Sequence, residues 1–281
     1  MQTVLPAKQS MLGATDPHLN ETANMRNPRR TVAGVGRVVL WNGGSLWIGR
    51  DAGKAQPHAH HAIQISLALT DSLHLYNDAT STWTEYAGAI VLPHQRHQFD
   101  GNGKSVAHIF VEPETVQGRF LLHRYPDNSV DALPAEITQR MIAPLHHAFV
   151  EKVANEQLIT TGRQALELLC GKESSPHAID RRIIRAIEFA RSSMGSRVTL
   201  AAAANACHLS PSRFRHLFME QTGISFRGYL LWARVGAAIS EAMGGVPWTD
   251  AAQNCGFADS AHLSRTCRRM FGIAPSTLIK E

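Results

Sequence analysis

The chain has 281 residues, 44% of them hydrophobic, and a formal net charge of +5 at pH 7. This length and composition predict two domains, each with its own core. No run approaches the roughly 18 apolar residues of a membrane span, and residues 1–30 lack the apolar segment of a signal peptide, so we expect a soluble, cytoplasmic protein without a membrane partner.

The charge excess lies in the C-terminal part of the chain. Residues 172–281 carry 14 lysines and arginines against 8 acidic residues, whereas residues 1–171 carry 14 against 15. An excess of lysine and arginine that is confined to one domain indicates phosphate binding. However, a run of charged residues is more often only a solvent-exposed surface. The distribution therefore supports a nucleic-acid partner only together with a motif.

The N-terminal part begins with a polar stretch and continues as short β-type runs. Residues 1–30 are rich in Asn, Pro and Thr without periodicity, which predicts a mobile arm. Residues 31–115 contain many short runs of β-branched and apolar residues separated by turn residues, typical of a small barrel or sandwich. The predicted strands are 37–41, 45–50, 63–69, 73–76, 89–92 and 106–111.

Histidines recur at a defined spacing within this β region. The two patterns are Gly53-x4-His58-x-His60-x3-Gln64 and Gly88-x4-Pro93-x3-His97. Because side chains alternate along a strand, we expect His58, His60 and Gln64 to share one face and His61 to lie on the other.

The two patterns resemble the motifs of the cupin barrel, over residues 50–100. The resemblance implies a barrel in which two histidines, a carboxylate and a later histidine bind a divalent transition metal. Gln64 stands where a glutamate is expected, and a neutral amide is a poorer ligand than a carboxylate. Two interpretations stay open for His58, His60, Gln64 and His97. They line an effector pocket and no cofactor is bound, or they hold a divalent transition metal.

Residues 116–171 have helical character after the β region. Residues 134–150 and 156–170 are predicted as amphipathic helices that end at Gly171, and residues 172–177 are predicted as an interdomain linker. A self-complementary helix pair at this place would form a homodimer. The alternative is that both helices only cover one face of the barrel.

A short helix with a marked beginning follows in the C-terminal domain, residues 178–281. Ser210 suits the N-cap, Pro211 the first helical position, and Phe214, Leu217 and Phe218 form the apolar face. An alanine-rich helix at 199–206 precedes it across a short turn, which predicts a helix-turn-helix unit. The outward face then carries Ser212, Arg215 and His216, with Arg213 on its shoulder.

The pattern occurs a second time, 49 residues later. The matched positions are Ser210 with Asp259, Phe214 with Leu263, Phe218 with Cys267, and Gly223 with Gly272. Residues 249–254 are predicted as the first helix of this second unit. The segment 226–243 is predicted as the connecting helix, with Gly228, Gly236 and the Gly244-Gly245 pair as breaks.

The C-terminal hundred residues resemble the DNA-binding domain of AraC/XylS transcription regulators. The resemblance is carried by Leu209-Ser210-x-Ser212-Arg213-Phe214-x-x-Leu217-Phe218 and Gly223-Ile224-Ser225-Phe226-x-x-Tyr229-Leu230, then by Gly256-Phe257-x-Asp259-Ser260-x-His262-Leu263-Ser264-Arg265-x-x-Arg268-x-x-Phe271-Gly272-x-x-Pro275-Ser276. It implies an α+β protein: a cupin-like barrel with a helical appendix, followed by an all-α domain of two tandem helix-turn-helix units.

The resemblance also implies a function. We expect a sequence-specific activator or repressor that binds double-stranded DNA, responds to a small-molecule effector in the barrel, forms a homodimer and contacts RNA polymerase, without being an enzyme. The alternative is a metal-dependent cupin enzyme, a dioxygenase or isomerase, fused to a DNA-binding domain. The predicted DNA-binding residues are Ser212, Arg213, Arg215, His216, Ala261, His262, Ser264, Arg265, Arg268 and Arg269.

Overall fold

The computed structural model describes residues 34–51, 53–126, 130–171, 178–196 and 198–280. The predicted arm at 1–30 and the predicted linker at 172–177 lie outside the described residues. Residues 32–281 form one unit, so the contacts between its β and helical parts can be described. Among the described helices, none is long and apolar enough to cross a membrane.

Two sheets build the N-terminal part. The strands are β1 (Gly34–Trp41), β2 (Gly44–Asp51), β3 (Ile63–Ala68), β4 (Leu73–Asn77), β5 (Thr82–Tyr86), β6 (Gly88–Val91), β7 (His97–Asp100), β8 (Ser105–Val111) and β9 (Val130–Ala132), and β10 (Leu278–Lys280) comes from the C-terminal end. The larger sheet has the order β10-β1-β2-β8-β3-β6-β9, and the smaller one has the order β5-β4-β7. β10 runs parallel to β1, whereas the other pairs are antiparallel.

Apolar side chains fill the space between the two sheets. Leu75 of β4 and Phe99 of β7 share a core with Val91 of β6 and Val106 of β8. Side chains from the two inner faces of packed sheets interdigitate in this way. The predicted α+β fold, with an N-terminal β domain of the cupin type, is confirmed.

Helices α1 (Val116–Arg124), α2 (Ala135–Val150) and α3 (Asn155–Cys170) follow the strands. Met141 and Leu145 of α2 and Leu158 of α3 are buried in one core with Leu46 and Ile65 of the sheet. The apolar faces of α2 and α3 therefore cover the barrel, as one of the two sequence interpretations expects.

The C-terminal part is helical. It contains α4 (Arg181–Ser192), α5 (Leu200–Ala206), α6 (Pro211–Thr222), α7 (Phe226–Met243), α8 (Trp248–Asn254) and α9 (Ser260–Phe271), then a 3-10 turn at Pro275–Thr277. The predicted connecting helix is confirmed as α7, which is continuous over 18 residues and is not broken at Gly228 or Gly236. Its buried residues Tyr229, Val235 and Ile239 join two cores, and this packing outweighs the roughly 1 kcal/mol that a glycine costs inside a helix.

Candidate DNA-binding interface and histidine site

Helices α6 and α9 begin and end in the same way. The Ser210 hydroxyl accepts from the backbone N–H of Arg213, and the Asp259 carboxylate accepts from that of His262. Each helix has 12 residues and ends at a left-handed glycine, Gly223 with φ 71° and Gly272 with φ 69°. These caps satisfy backbone groups that helix ends leave unpaired, which is why the two short helices have sharp limits.

The repeat differs in its turns. The second helices are related by a shift of 49 residues, whereas α5 and α8 are related by 48, because the turn of the second unit is one residue longer. His208 in the first turn and Gly256 in the second occupy the same left-handed place, with φ 56° and 77°. A single shift therefore describes only half of each unit.

The predicted DNA-binding side chains lie opposite the cores. Phe214 and Phe218 face inward on α6, as do Leu263 and Cys267 on α9. Eight of the predicted residues are exposed, namely Ser212, Arg213, Arg215, His216, Ala261, Arg265, Arg268 and Arg269, whereas His262 and Ser264 are half-buried. The ring of His262 packs against Phe257 at 5.2 Å, so part of this side chain serves the turn. Both outward faces offer guanidinium groups, which can bind phosphates and guanine edges.

Arg234 of α7 joins the two units. Its guanidinium donates to Ser196 O (2.9 Å), before the first unit, and to Gly256 O (3.3 Å), in the turn of the second. Burial lowers the pKa of this guanidinium. Nothing in the spacing of the sequence predicts this bridge.

His58, His60 and His97 come together in the barrel. Their side chains are 5%, 3% and 1% exposed, and one ring nitrogen of each lies within 4.8 Å of the others. Within the part of the chain that the structure describes, this is the group of three or more potential ligands that could hold a metal ion. His58 and His60 lie before β3 rather than on it, so the expected alternation along one strand is wrong. A bridge between His58 and His97 aligns them instead. His61 faces away, as expected, and contacts Glu114.

The ring nitrogens of the three histidines have distinct environments. The Nδ1 atoms of His58, His60 and His97 lie 2.8, 2.8 and 2.9 Å from backbone carbonyl oxygens. Burial lowers the pKa of His58 to about 3 and that of His60 to about 4, and it lowers the pKa of His97 well below 6.5. At neutral pH each ring therefore carries one proton, and it lies on Nδ1, where the carbonyl accepts it.

Gln64 completes the site as an acceptor. Its Oε1 lies 2.9 Å from His60 Nε2 and 3.4 Å from His97 Nε2. Because the Nε2 atoms of His60 and His97 carry no proton, they and the Gln64 amide oxygen are all hydrogen-bond acceptors, and none of them can donate to another. A cation satisfies such a set of acceptors, and imidazole nitrogens suit Zn²⁺, Cu²⁺ and Ni²⁺. The residues present therefore fit a divalent transition metal.

Two further side chains extend the site. The Gln64 amide donates to Ser66 Oγ (2.9 Å), which lies 3.0 Å from His108 Nδ1. Ser66 and His108 are directly opposite each other in the β3–β8 pair. The alternation of side chains along β3 predicts that Ser66 lies on the same face as Gln64. No local sequence pattern predicts that His108 of β8 pairs with Ser66, because this pairing joins distant parts of the chain.

The histidine site opens into a largely apolar cavity. Trp47, Phe110 and His108 of the barrel line it, together with Phe271 and Leu278 from the C-terminal part. The rings of Trp232 and Phe271 lie 6.0 and 6.1 Å from that of His60. The cavity wall is thus shared between the barrel and the second helix-turn-helix unit.

Comparisons with known proteins agree with this geometry. Residues 203–281 match the family described as a helix-turn-helix domain. This segment is a helix-turn-helix domain of the AraC type. The resemblance to AraC/XylS regulators is thereby confirmed for the C-terminal part, which is a DNA-binding domain. Among curated proteins none matches the sequence.

Solved structures share the fold over most of the chain. ToxT from Vibrio cholerae O395 is 14% identical, with a TM-score of 0.53 over 84% of this chain and 96% of that chain. ToxT bound to (E)-4-(8-methylnaphthalen-1-yl)but-3-enoic acid is 12% identical, with a TM-score of 0.53 over 83% and 97%. Wild-type ToxT of Vibrio cholerae strain SCE256, bound to an unsaturated fatty acid, is 11% identical, with a TM-score of 0.50 over 83% and 92%. The fold of this chain is therefore similar to that of ToxT over most of its length.

Proposed function

We propose that the protein is a sequence-specific DNA-binding transcription regulator whose activity is controlled by a ligand bound in the barrel. The observation that carries this proposal is the pair of capped helices α6 and α9, each of which exposes a cationic face opposite its core. A single helix-turn-helix unit contacts one major groove, and two units in tandem suit a site with two half-sites.

Both recognition helices are proposed to enter successive major grooves on one side of the duplex. Such grooves lie about 34 Å apart, and the 18-residue α7 has a length of about 27 Å at 1.5 Å per residue, comparable with that separation. Footprinting on a bound genomic fragment should show two protected segments about 10 base pairs apart. Protection of a single groove would contradict the tandem arrangement.

Individual arginines are proposed to have different tasks. Arg215 and Arg265, with Ser212, His216, Ala261 and Ser264, are assigned to base edges, and Arg213, Arg268 and Arg269 to phosphates. Arg265→Ala should cost about 1–3 kcal/mol of discrimination at one or two operator positions and leave the salt dependence of the affinity unchanged. Arg269→Ala should weaken all sequences alike and reduce the salt slope by about one unit.

A library of single-base operator variants at two salt concentrations measures both effects. Each of the two variants serves as the control for the other, since both remove one exposed arginine from α9. Equal weakening of every operator by Arg265→Ala would contradict its assignment to the bases.

The effector is proposed to bind in the barrel. The cavity beside His58 and His108 offers apolar walls to a small molecule, and ToxT, which shares the fold, has been solved with two apolar acids. His58, His60 and His97, with Gln64 as the amide ligand, are proposed to hold a divalent transition metal, which would act as a Lewis acid when bound. Metal analysis of the purified protein, with His60→Ala and His97→Ala as controls, tests the metal proposal.

A regulatory rather than catalytic role is proposed for this site. Trp232 and Phe271, from the C-terminal part, pack beside His60, so the site lies where the barrel meets the helices of the DNA-binding part. The observation that favours the alternative, a cupin dioxygenase or isomerase, is the three-histidine site itself. Turnover by the metal-loaded protein in a substrate screen would establish the alternative, whereas metal binding without turnover supports regulation.

A homodimer and a contact with RNA polymerase complete the proposal. The apolar faces of α2 and α3 are used against the barrel, so the dimer is proposed to form through their outer surface, where a groove is lined by Arg140, Pro144, Gln164 and Leu168. Sedimentation at micromolar concentration, with and without DNA, distinguishes monomer from dimer. A cytoplasmic location follows if the protein regulates transcription.

A further inference from the structure

The end of α9 touches the histidine site through one residue, Gln56. The backbone N–H of Gln56 donates to Gly272 O (3.0 Å), and Gln56 O accepts from His58 Nδ1 (2.8 Å). Gln56 therefore holds a candidate metal ligand with its carbonyl and the C-cap of the second recognition helix with its amide.

The contact is too close for a side chain at Gly272. A Cβ at this position would lie 2.2 Å from Gln56 O and 2.7 Å from His58 Nδ1. The preceding residue, Phe271, packs against Trp47 at 4.7 Å and Phe110 at 5.6 Å. The C-terminal end of α9 is thus fixed on the barrel at the histidine site.

The first unit offers a natural comparison. Gly223 ends α6 with φ 71°, almost the φ of 69° at Gly272, but a Cβ at Gly223 would meet no atom within 4 Å. Since the two caps have the same local geometry, the contact with the histidine site is what distinguishes them.

We propose that the binding of a divalent transition metal to His58, His60 and His97 is coupled to DNA binding by the second helix-turn-helix unit, through the contact of Gln56 with Gly272. This inference rests on the proposed function. A bound metal fixes the His58 ring, the ring fixes Gln56 O, and the backbone N–H of the same residue then holds Gly272. Arg265, Arg268 and Arg269 are exposed while α9 contacts the barrel, so a metal that fixes this contact would present the helix to DNA.

Coupling free energies are reciprocal, which makes the inference testable from both sides. Zn²⁺ is used as the probe on the full chain, and the operator is a fragment selected from genomic DNA by the protein. We expect saturating Zn²⁺ to tighten operator binding at least about five-fold, and operator DNA to tighten Zn²⁺ binding by the same factor.

Gly272→Ala and Gly223→Ala form the matched pair. Both place a side chain at a left-handed cap, so both weaken their helix ends to a similar degree. Only Gly272→Ala should reduce Zn²⁺ affinity and abolish the effect of Zn²⁺ on DNA binding. Phe271→Leu is the second variant, for use if Gly272→Ala fails to fold. It loosens the same contact without a change at the cap, and it should reduce the effect of Zn²⁺ on DNA binding.

The outcomes separate this inference from the proposed function. DNA binding that Zn²⁺ leaves unchanged or weakens overturns the coupling, and so does a Gly272→Ala protein that keeps the full effect. If no DNA fragment is bound with or without Zn²⁺, the proposed function itself fails, and the coupling fails with it.

Discussion

At the scale of single residues, burial determines the charge of the barrel histidines. Burial, together with the neighbouring histidines, lowers the pKa of His58 to about 3 and that of His60 to about 4. In the unfolded chain these two histidines take up protons near pH 6.5, whereas in the folded chain they do so only near pH 3 and pH 4. The unfolded state therefore binds more protons between about pH 6.5 and 4, and stability must fall as the pH falls through this window.

The size of this effect can be measured with a histidine variant. Each such histidine contributes up to about 1.4 kcal/mol of unfolding free energy per pH unit in the window. Urea unfolding in the presence of a chelator at pH 7, 6 and 5 should show a smaller pH dependence for His97→Gln than for the wild type. His147→Gln, on the exposed side of α2, is the control. If the unfolding free energy of His97→Gln depended on pH as strongly as that of the wild type, the His97 ring would take up a proton at the same pH in the folded and the unfolded chain.

Gly256 is a second residue whose environment leads to a prediction. Its φ is +77°, and a Cβ would lie 2.9 Å from Arg234 Cζ and 3.0 Å from Met194 O. Gly256→Ala should therefore cost about 1–3 kcal/mol of unfolding free energy. His208→Ala, at the same left-handed place in the first turn, should change stability by less than about 0.5 kcal/mol, since a side chain is already accommodated there. Equal losses in thermal unfolding would contradict the steric explanation.

Single positions of the site differ in how far the sequence predicts them. His58, His60, Gln64 and His97 follow from spacing, although their convergence depends on the His58–His97 bridge rather than on one strand. His108 joins them only through the pairing of β8 with β3, a long-range register that no local pattern encodes.

At the scale of elements, Arg234 is predicted to fix the distance between the two half-sites. From α7 it bridges Ser196, in the segment that leads into the first helix-turn-helix unit, and Gly256, in the turn of the second. Arg234→Met keeps the apolar stem but removes both hydrogen bonds, and Arg227→Met removes an exposed arginine of the same helix.

The readout for Arg234 is operator spacing rather than affinity alone. Half-sites about 10 base pairs apart lie on one face of the duplex, and each added base pair rotates the second half-site away from α9. Arg234→Met should therefore lose less affinity than the wild type when one base pair is inserted between the half-sites, whereas Arg227→Met should lose as much as the wild type. The same loss in all three proteins would assign Arg234 to folding only.

Some elements were predictable and others were not, for physical reasons. Helices α6 and α9 combine caps with an apolar face, and in β3 the apolar Ile63, Ile65 and Leu67 alternate with other residues. β5 was missed because its residues Thr82 to Tyr86 are mostly exposed and show no alternation of burial. β10 forms by pairing with the edge strand β1, which is far away in the sequence. α4 was not predicted because its arginines outnumber the apolar residues that it buries at the start of the helix, such as Ile183 and Ala186.

At the scale of the whole molecule, a buried polar cluster joins the barrel to the first helix-turn-helix unit. The Arg191 guanidinium at the end of α4 forms an ion pair with Glu112, which follows β8, and also donates to Asn42 Oδ1. The Tyr229 hydroxyl donates to Glu112 Oε2 (3.4 Å), and Arg119 of α1 donates to Gln221 O (2.7 Å). Polar contacts between parts of a chain depend on both partners, so the sequence of either part predicts none of them.

The charge of Glu112 makes this junction sensitive to pH when its partner is removed. The pKa of the Glu112 carboxyl group is raised, mainly because the group is buried. The positive charge of Arg191 and the neighbouring His61 act to lower this pKa, and the nearby carboxylate of Glu114 acts to raise it. A carboxyl group with a raised folded pKa loses its proton first in the unfolded chain, so stability falls as the pH rises from about 4.5 through the folded pKa. Removal of Arg191 extends this window upward, because the carboxylate then lacks its cation.

Arg191→Met should therefore destabilise the fold by about 3 kcal/mol at pH 8, because it leaves a buried carboxylate unpaired, and by less at pH 5, where Glu112 can take up a proton. The matched variant Glu112→Gln/Arg191→Met removes both charges and should recover most of the loss at pH 8, with little difference between the two pH values. Urea unfolding of the wild type and of the single and double variants at both pH values measures these changes. If Arg191→Met lost the same free energy at pH 5 as at pH 8, its effect would come from lost packing and from the bond to Asn42 rather than from the charge of Glu112.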